Sequence, residues 1–379
     1  MIYLDNSATT KPYPEVIETA GTVAERYFAN PSSAHQLGEE ASALLKQARQ
    51  QIAQILKVRA DEVYFTASGT EANNWVLQGI VDALHSKNTD RKRVLLSAIE
   101  HPASLQQIEL LQRKGYDVDL VPVDQWGRLD TDKLRDMLDE HVLLLSTMAV
   151  NNEVGTVQPL AAIAEIIADY PQLIWHVDGV QAVTTELELL RNKRIDLLTL
   201  SAHKFHGLRG VGVLVKKERV ASYPLLYGGG QEAGQRSSTE NLPAIVASAK
   251  ALRLADDAQA EARRRLHDFR VQLVTALEEA GWQIFGGAYT STHIVCAALP
   301  PIPGEVLLHA FERMGIFVST TSACSSRSHN PHATLNAMRV SSNISNSAIR
   351  LSLSHTTTQA DITAFIQALP KVTQMKGKG

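Results

Sequence analysis

From about residue 60 to residue 217 the chain alternates short apolar runs with longer amphipathic stretches, and this alternation constrains the fold more than any other feature. The runs Val63–Phe65, Val94–Ala98, Val118–Val123, Val142–Val150, Ile174–Val177, Leu197–Leu200 and Val211–Val215 have the length and β-branched content of buried strands. Between most of them lie helix candidates at Glu71–Leu84, Leu105–Lys114, Thr131–Leu138 and Leu160–Ala168, the third expected to be capped by Thr131. Strands that alternate with helices pair in parallel, because each crossover helix returns the chain to the same end of the sheet. An α/β large domain with a mostly parallel seven-stranded sheet is therefore expected.

Past Tyr227-Gly228-Gly229-Gly230 a helical pattern rich in Ala, Leu, Arg and Glu runs from about Ala244 to Ala280 and stops at Gly281. It reads as a helix bridging two domains. Strand-like Ile294–Leu299, a helix at Glu305–Met314, and strand-like Ile316–Ser319 and Ala348–Ser354 follow, which suggests a small α+β C-terminal domain. The expected division is residues 14–245 for the large domain, with 1–13 and 246–379 in the small one. Between Ser319 and Ser347 the chain is rich in Ser, Thr, Asn and His with little apolar periodicity, and a loop of that length inside a compact domain is usually functional.

The bulk numbers exclude several functions. A net charge of −3 over 379 residues gives no electrostatic basis for binding nucleic acid or an anionic membrane directly. No apolar run is long enough to span a bilayer, and no signal peptide is evident at Met1–Asp5. With only two cysteines, Cys296 and Cys324, a disulfide framework is not expected and a cytoplasmic location is.

Three strand ends carry chemistry. Leu197–Leu200 runs into Ser201-Ala202-His203-Lys204, which places a lysine just past a buried strand. A desolvated amine in such a position can form a Schiff base with a carbonyl, although a turn lysine on the surface has the same local sequence. Ser201 and Lys204 also match Ser-x-x-Lys of penicillin-recognising enzymes, but the companion motifs are absent. Ile174–Val177 ends in Asp178, a carboxylate where an open α/β sheet places its site, or an ordinary turn starter with Gly179. Val63–Phe65 feeds Ser68-Gly69-Thr70, a small-residue turn opening a helix, suited to an anion or simply to capping. Together they supply a phosphate cradle, a partner for a pyridinium nitrogen and a Schiff-base amine, the set required by pyridoxal phosphate (PLP).

Cys324 lies among small polar residues, with Arg327 and histidines near in sequence, as a reactive thiol does. Cys296, between Val295 and Ala297, reads as a structural residue. Zinc ligation by Cys324, His329 and His332 is a minor alternative, and no metal is expected. Arg350, inside the apolar alternation Ile349–Leu353, is either salt-bridged or a clamp for a substrate carboxylate.

These segments resemble the cysteine desulfurases of the NifS/IscS-like subgroup, fold-type I PLP enzymes of aminotransferase class V. The resemblance runs along nearly the whole chain, through Tyr3-Leu4-Asp5-Asn6-Ser7-Ala8-Thr9-Thr10, Asn30-Pro31-Ser32-Ser33, Gly69-Thr70-Glu71, Glu100-His101, Val150-Asn151-Asn152-Glu153-Val154-Gly155, His176-Val177-Asp178, Ser201-Ala202-His203-Lys204, Gly228-Gly229-Gly230-Gln231-Glu232, Ser322-Ala323-Cys324 and Ile349-Arg350-Leu351-Ser352. It implies that Lys204 carries PLP, that Asp178 pairs with the pyridine nitrogen, and that His101 stacks on the ring and assists proton transfer. It further implies that Gln181 bonds the phenolic oxygen, and that Gly69, Thr70, Ser201 and His203 hold the phosphate with Thr239 from a second subunit of a homodimer. Arg350 and Asn152 would hold the carboxylate of L-cysteine, and Cys324 would receive the sulfur as a persulfide. The remaining readings are a selenocysteine lyase and a PLP-fold interaction platform. Thr321, Ser238 and the run Arg327-Ser328-His329-Asn330-Pro331 depart from the common pattern, and the chain ends soon after its last helix. Those departures favour an acceptor in tRNA thiolation or the thiamine pathway, with an iron–sulfur scaffold as the alternative.

Overall fold

The computed structural model describes residues 1–321 and 332–377. Its thirteen described strands, in chain order, are β1 (Ile2–Tyr3), β2 (Val63–Thr66), β3 (Arg93–Ser97), β4 (Asp117–Val121), β5 (Val142–Met148), β6 (Ile174–Asp178), β7 (Leu197–Ser201), β8 (Gly212–Lys216), β9 (Gln283–Ile284), β10 (Ile294–Ala298), β11 (Ile316–Phe317), β12 (Ser319–Thr320) and β13 (Ala348–Ser352). Seven of them form one sheet in the order β2-β8-β7-β6-β5-β3-β4. Neighbours from β7 to β4 pair in parallel, and only β8 runs against the rest, antiparallel to both β2 and β7. The expected seven-stranded, mostly parallel sheet is present. Every residue of β5, β6, β7 and β8 is buried, which is why these strands read as unbroken apolar runs without alternation.

Both faces are covered. One cluster includes Leu145, Trp175, Leu198 and Val213 from the sheet with Leu45, Ile52 and Leu252 from helices, and a second packs Trp75, Leu77 and Leu111 on Val94, Leu144 and Leu214. The helices Pro14–Arg26 and Gln36–Leu56 lie against the long helix Leu242–Glu279. That long helix serves two cores: Ile245, Leu252 and Ala255 belong to the large one, whereas Leu266, Phe269 and Leu277 belong to a second with Phe311, Ile349, Leu351 and Phe365. The second core lies on a four-stranded sheet, β12-β13-β10-β9, whose neighbours are antiparallel. The N-terminal β1 pairs in parallel with β11, and Leu4 is part of this second core.

Three local expectations are corrected. The helix Thr131–Met137 is capped by Asp130, not Thr131: its carboxylate accepts from Asp132 N at 3.1 Å and Lys133 N at 3.0 Å, and Thr131 is the first helical residue. An ionised cap at the positive helix end outcompetes a hydroxyl one residue later. The stretch expected as one helix over Glu71–Leu84 begins at Gly69 and carries a π-helical turn at Val76–Ile80. The polar segment Ser319–Ser347 contains the short helices Ala333–Ala337 and Ser342–Ser345. Among the described residues no helix is long and apolar enough to cross a membrane.

Candidate active site

The C-terminal ends of β5, β6 and β7 and the helix opening at Gly69 converge on one cavity. Of the residues expected at the site, Gly69, Thr70, His101, Asn152, Asp178, Gln181, Ser201, His203 and Lys204 all line it. Such convergence is what a parallel sheet enforces, since every strand delivers its next loop to the same edge.

Asp178 is the last residue of β6, and its carboxylate is fixed at both oxygens. Asn73 Nδ2 donates to Oδ2 at 2.8 Å, and the backbone N–H of Val180 donates to Oδ1 at 3.0 Å. Asn73 Oδ1 is buried and finds no donor among the described residues. Lys204 ends the single turn Ala202–Lys204 that follows β7, and its Nζ donates to the carbonyls of Ser7 and, at 2.9 Å, Ala8. Gln181 Nε2 donates to the same Ser7 carbonyl at 3.0 Å, while the buried Ser7 Oγ finds no partner among the described residues. At Gly69 the backbone approaches its neighbours so closely that a Cβ would stand 3.2 Å from Val180 Cγ2 and 3.3 Å from Ser201 Cβ. Ser68 caps this turn by accepting from Glu71 N at 3.1 Å.

His101 precedes the turn Pro102–Leu105, and its Nδ1 accepts from the N–H of Ala103 at 3.1 Å. That bond leaves the proton of the neutral ring on Nε2. Burial lowers the pKa of His101; Asp178 opposes the shift and Lys204 reinforces it. His203 is pushed down to about 4, by burial first and then by Lys204 and Arg209, with Nδ1 3.1 Å from Thr9 Oγ1.

Glu100, beside His101 in the chain, is a fully buried carboxyl group. Burial, and secondarily the charge of Asp178, hold it well above the usual carboxylate range, and its Oε1 accepts the N–H of Met148. A carboxyl whose pKa is raised by folding contributes most stability below its unfolded pKa, and that contribution is lost as pH rises through the folded value. Glu100→Gln keeps an acceptor for Met148 and removes the titration. Its melting temperature should exceed that of the native protein by a margin that grows as pH rises above about 4.5. A constant or shrinking margin would mean that Glu100 is held as an anion.

Arg350 does not line the cavity. It lies behind Asn152, 2% exposed, with Nη1 donating to the Asn152 carbonyl at 2.9 Å and Nη2 paired with Asp5 Oδ1 at 2.7 Å. Thr239 lines a separate depression with Ala67, Arg236 and Glu240. Cys296 is fully buried in β10, and its surroundings push the thiol pKa up, as befits a structural residue. Cys324, Arg327 and His329 lie outside the described residues. Among those described, no group of three or more His, Cys, Asp and Glu residues could hold a metal ion. Ser7, Ser68, Asn73, Met148, Val150 and Val180 complete the wall. Asn73, one helical turn after Gly69, and Ser7, inside the N-terminal segment that carries the resemblance, both had a local signal but no expected role.

Sheet order, strand-end site and second antiparallel sheet together define a fold-type I enzyme. The aminotransferase class-V family model matches residues 2–365. A NifS/IcsS protein homolog of Lactobacillus delbrueckii subsp. bulgaricus is 42% identical over 378 residues, covering 99% of this chain and 97% of the relative. The cysteine desulfurase IscS of Methanosarcina thermophila is 36% identical, with 98% of this chain and 92% of the relative covered. Among solved structures, a NifS-like protein superposes with a TM-score of 0.91 at 33% identity over 100% of both chains, and the NifS-like protein of Rickettsia africae with 0.87 at 29% over 99% of both. The chain belongs to the class-V aminotransferase family, in its NifS/IscS-like cysteine desulfurase group.

Proposed function

We propose that this protein removes sulfur from L-cysteine with PLP as cofactor, releases L-alanine and carries the sulfur as a persulfide on Cys324. The observation that carries this reading is the meeting of Lys204, Asp178 and His101 on one cavity wall. The residues present fit PLP. A doubly hydrogen-bonded carboxylate suits a pyridinium nitrogen, a lysine stands at the neighbouring strand end, and the orphaned Asn73 Oδ1 and Ser7 Oγ leave polar capacity at the wall. When bound, PLP supplies an electron sink that acidifies the substrate Cα–H and weakens its Cβ–S bond.

Lys204 would be the covalent anchor, and Asp178 would pair with the ring nitrogen and keep it protonated. His101 would cover the ring and assist proton transfers, its neutral imidazole carrying the proton on Nε2. Gln181 would bond the phenolic oxygen. Gly69, Thr70, Ser201 and His203 would hold the phosphate, with Thr239 of the partner subunit completing the cradle in a homodimer. Asn152 on the wall and Arg350 behind it would hold the substrate carboxylate. The Cys324 thiolate takes the sulfur atom: the Cβ–S bond breaks, an S–S bond forms, and Cβ is protonated to give alanine. The persulfide passes to a sulfurtransferase that thiolates tRNA or serves the thiamine pathway, a reading supported by the polar run Arg327–Pro331 after Cys324.

Purified protein supplied with PLP should acquire a visible absorbance band that borohydride fixes to the chain. It should then form one alanine per sulfur removed from L-cysteine. A band without alanine would leave a different PLP reaction, and neither would end the reading. For the acceptor, labelled sulfur should reach a tRNA-thiolating sulfurtransferase; transfer to an iron–sulfur scaffold instead would overturn that choice.

A further inference from the structure

A buried guanidinium is expensive unless its donors are met, and Arg350 is met unusually far from home in the sequence. Alternation along β13 turns Ile349 and Leu351 into the small-sheet core, while Ala348, Arg350 and Ser352 face the other way, toward the large sheet. Of the five N–H donors of Arg350, one goes to the Asn152 carbonyl and one to Asp5, and Nε has no acceptor among the described residues. Donors beyond these two therefore remain on a group that stands one residue behind the cavity wall, against Asn152, and whose direction is set by Asp5.

Asp5 is itself held rigidly. On either side of it, Leu4 N donates to Phe317 O at 2.8 Å, Ser352 N donates to Leu4 O at 2.7 Å, and Asn6 N donates to Ser352 O at 3.3 Å. Asn6 Nδ2 adds a bond to Ser352 O at 2.9 Å, and Ser7 N donates to Ser352 Oγ at 2.8 Å. The same segment then presents the Ser7 and Ala8 carbonyls to Lys204. Glu153, the other carboxyl near Arg350, does not play the part of Asp5. Burial raises its pKa to about 7 although Arg350 lowers it, and no ion pair joins the two.

We infer that Asp5 is a positioning residue, which fixes the Arg350 guanidinium behind Asn152, from where its charge draws the carboxylate of an amino-acid substrate to that part of the wall. Asp5 does not touch the substrate; it acts through Arg350, and the inference rests on the reading of the site given above. Losing it should weaken substrate binding and leave the chemical steps intact.

The test compares the full-length, PLP-loaded native protein with Asp5→Ala and Asp5→Asn, measuring kcat and KM for alanine formation alongside melting temperature. Asp5→Ala should raise KM for L-cysteine about tenfold or more, the effect of one misdirected charge-assisted contact, with kcat changed by less than about threefold. Asp5→Asn should fall between, because its amide oxygen still accepts from Nη2 without the charge. If Asp5→Ala does not fold, KM in Asp5→Asn decides. A KM within about twofold of native in the folded variants, or a fall in kcat alone, would overturn the inference while native turnover stands. Failure of the native protein to make alanine would sink the desulfurase reading and this inference with it.

Discussion

Lys204→Ala is expected to abolish alanine formation from L-cysteine, by at least about a thousandfold, and to leave no cofactor bound covalently to the chain. The loss follows from position. Lys204 ends the turn directly after β7, at the edge where Asp178 and Gly69 also stand, and its Nζ is presented at the cavity by the Ser7 and Ala8 carbonyls. Among the described residues no other lysine lines that cavity. After incubation with PLP and borohydride, the native protein should retain the label through unfolding and Lys204→Ala should not. Equal labelling of both would move the Schiff base to another lysine and remove the basis for the roles given to Asp178 and His101.

Cys324→Ala should behave in the opposite way with respect to the cofactor. The visible band and its response to L-cysteine should be retained, because the wall contributed by Asp178, His101 and Lys204 is unaltered, while persulfide formation and sulfur delivery to an acceptor should fall below detection. Cys296 is no substitute. It is fully buried, and its thiol is pushed away from the thiolate form by burial and by Glu153. Desulfuration by Cys324→Ala at the native rate would remove the thiol from the mechanism.

Much of the site was legible because the physics that marks it is local. β6 and β7 are continuous apolar runs that end abruptly in Asp178 and in Ser201–Lys204, and a buried strand with a polar terminus marks the functional edge of a parallel sheet. Gly69 was legible for the same reason, as a small residue where a strand becomes a helix. The contacts that join distant positions were not legible. Asp5 pairs with Arg350, and Lys204 meets the carbonyls of Ser7 and Ala8, yet nothing near either partner in the sequence signals the other. Arg350 is salt-bridged to Asp5, one of the two roles that an arginine inside an apolar alternation allows. The reversal of β8 was also hidden, since Gly212–Lys216 is as apolar as its parallel neighbours. By contrast Ala41, Leu45, Ala48, Ile52 and Leu56 recur at helical spacing, so the helix Gln36–Leu56 is legible in the sequence from its buried face alone.

A single experiment bears on the central claim. The PLP-loaded protein is incubated with L-cysteine, its thiols and persulfides are alkylated, and the peptide containing Cys324 is weighed while alanine is counted. One additional sulfur on Cys324, with one alanine released per sulfur in the first turnover, is the expected result. Alanine release with no sulfur on Cys324, or with the added sulfur on Cys296, would contradict it.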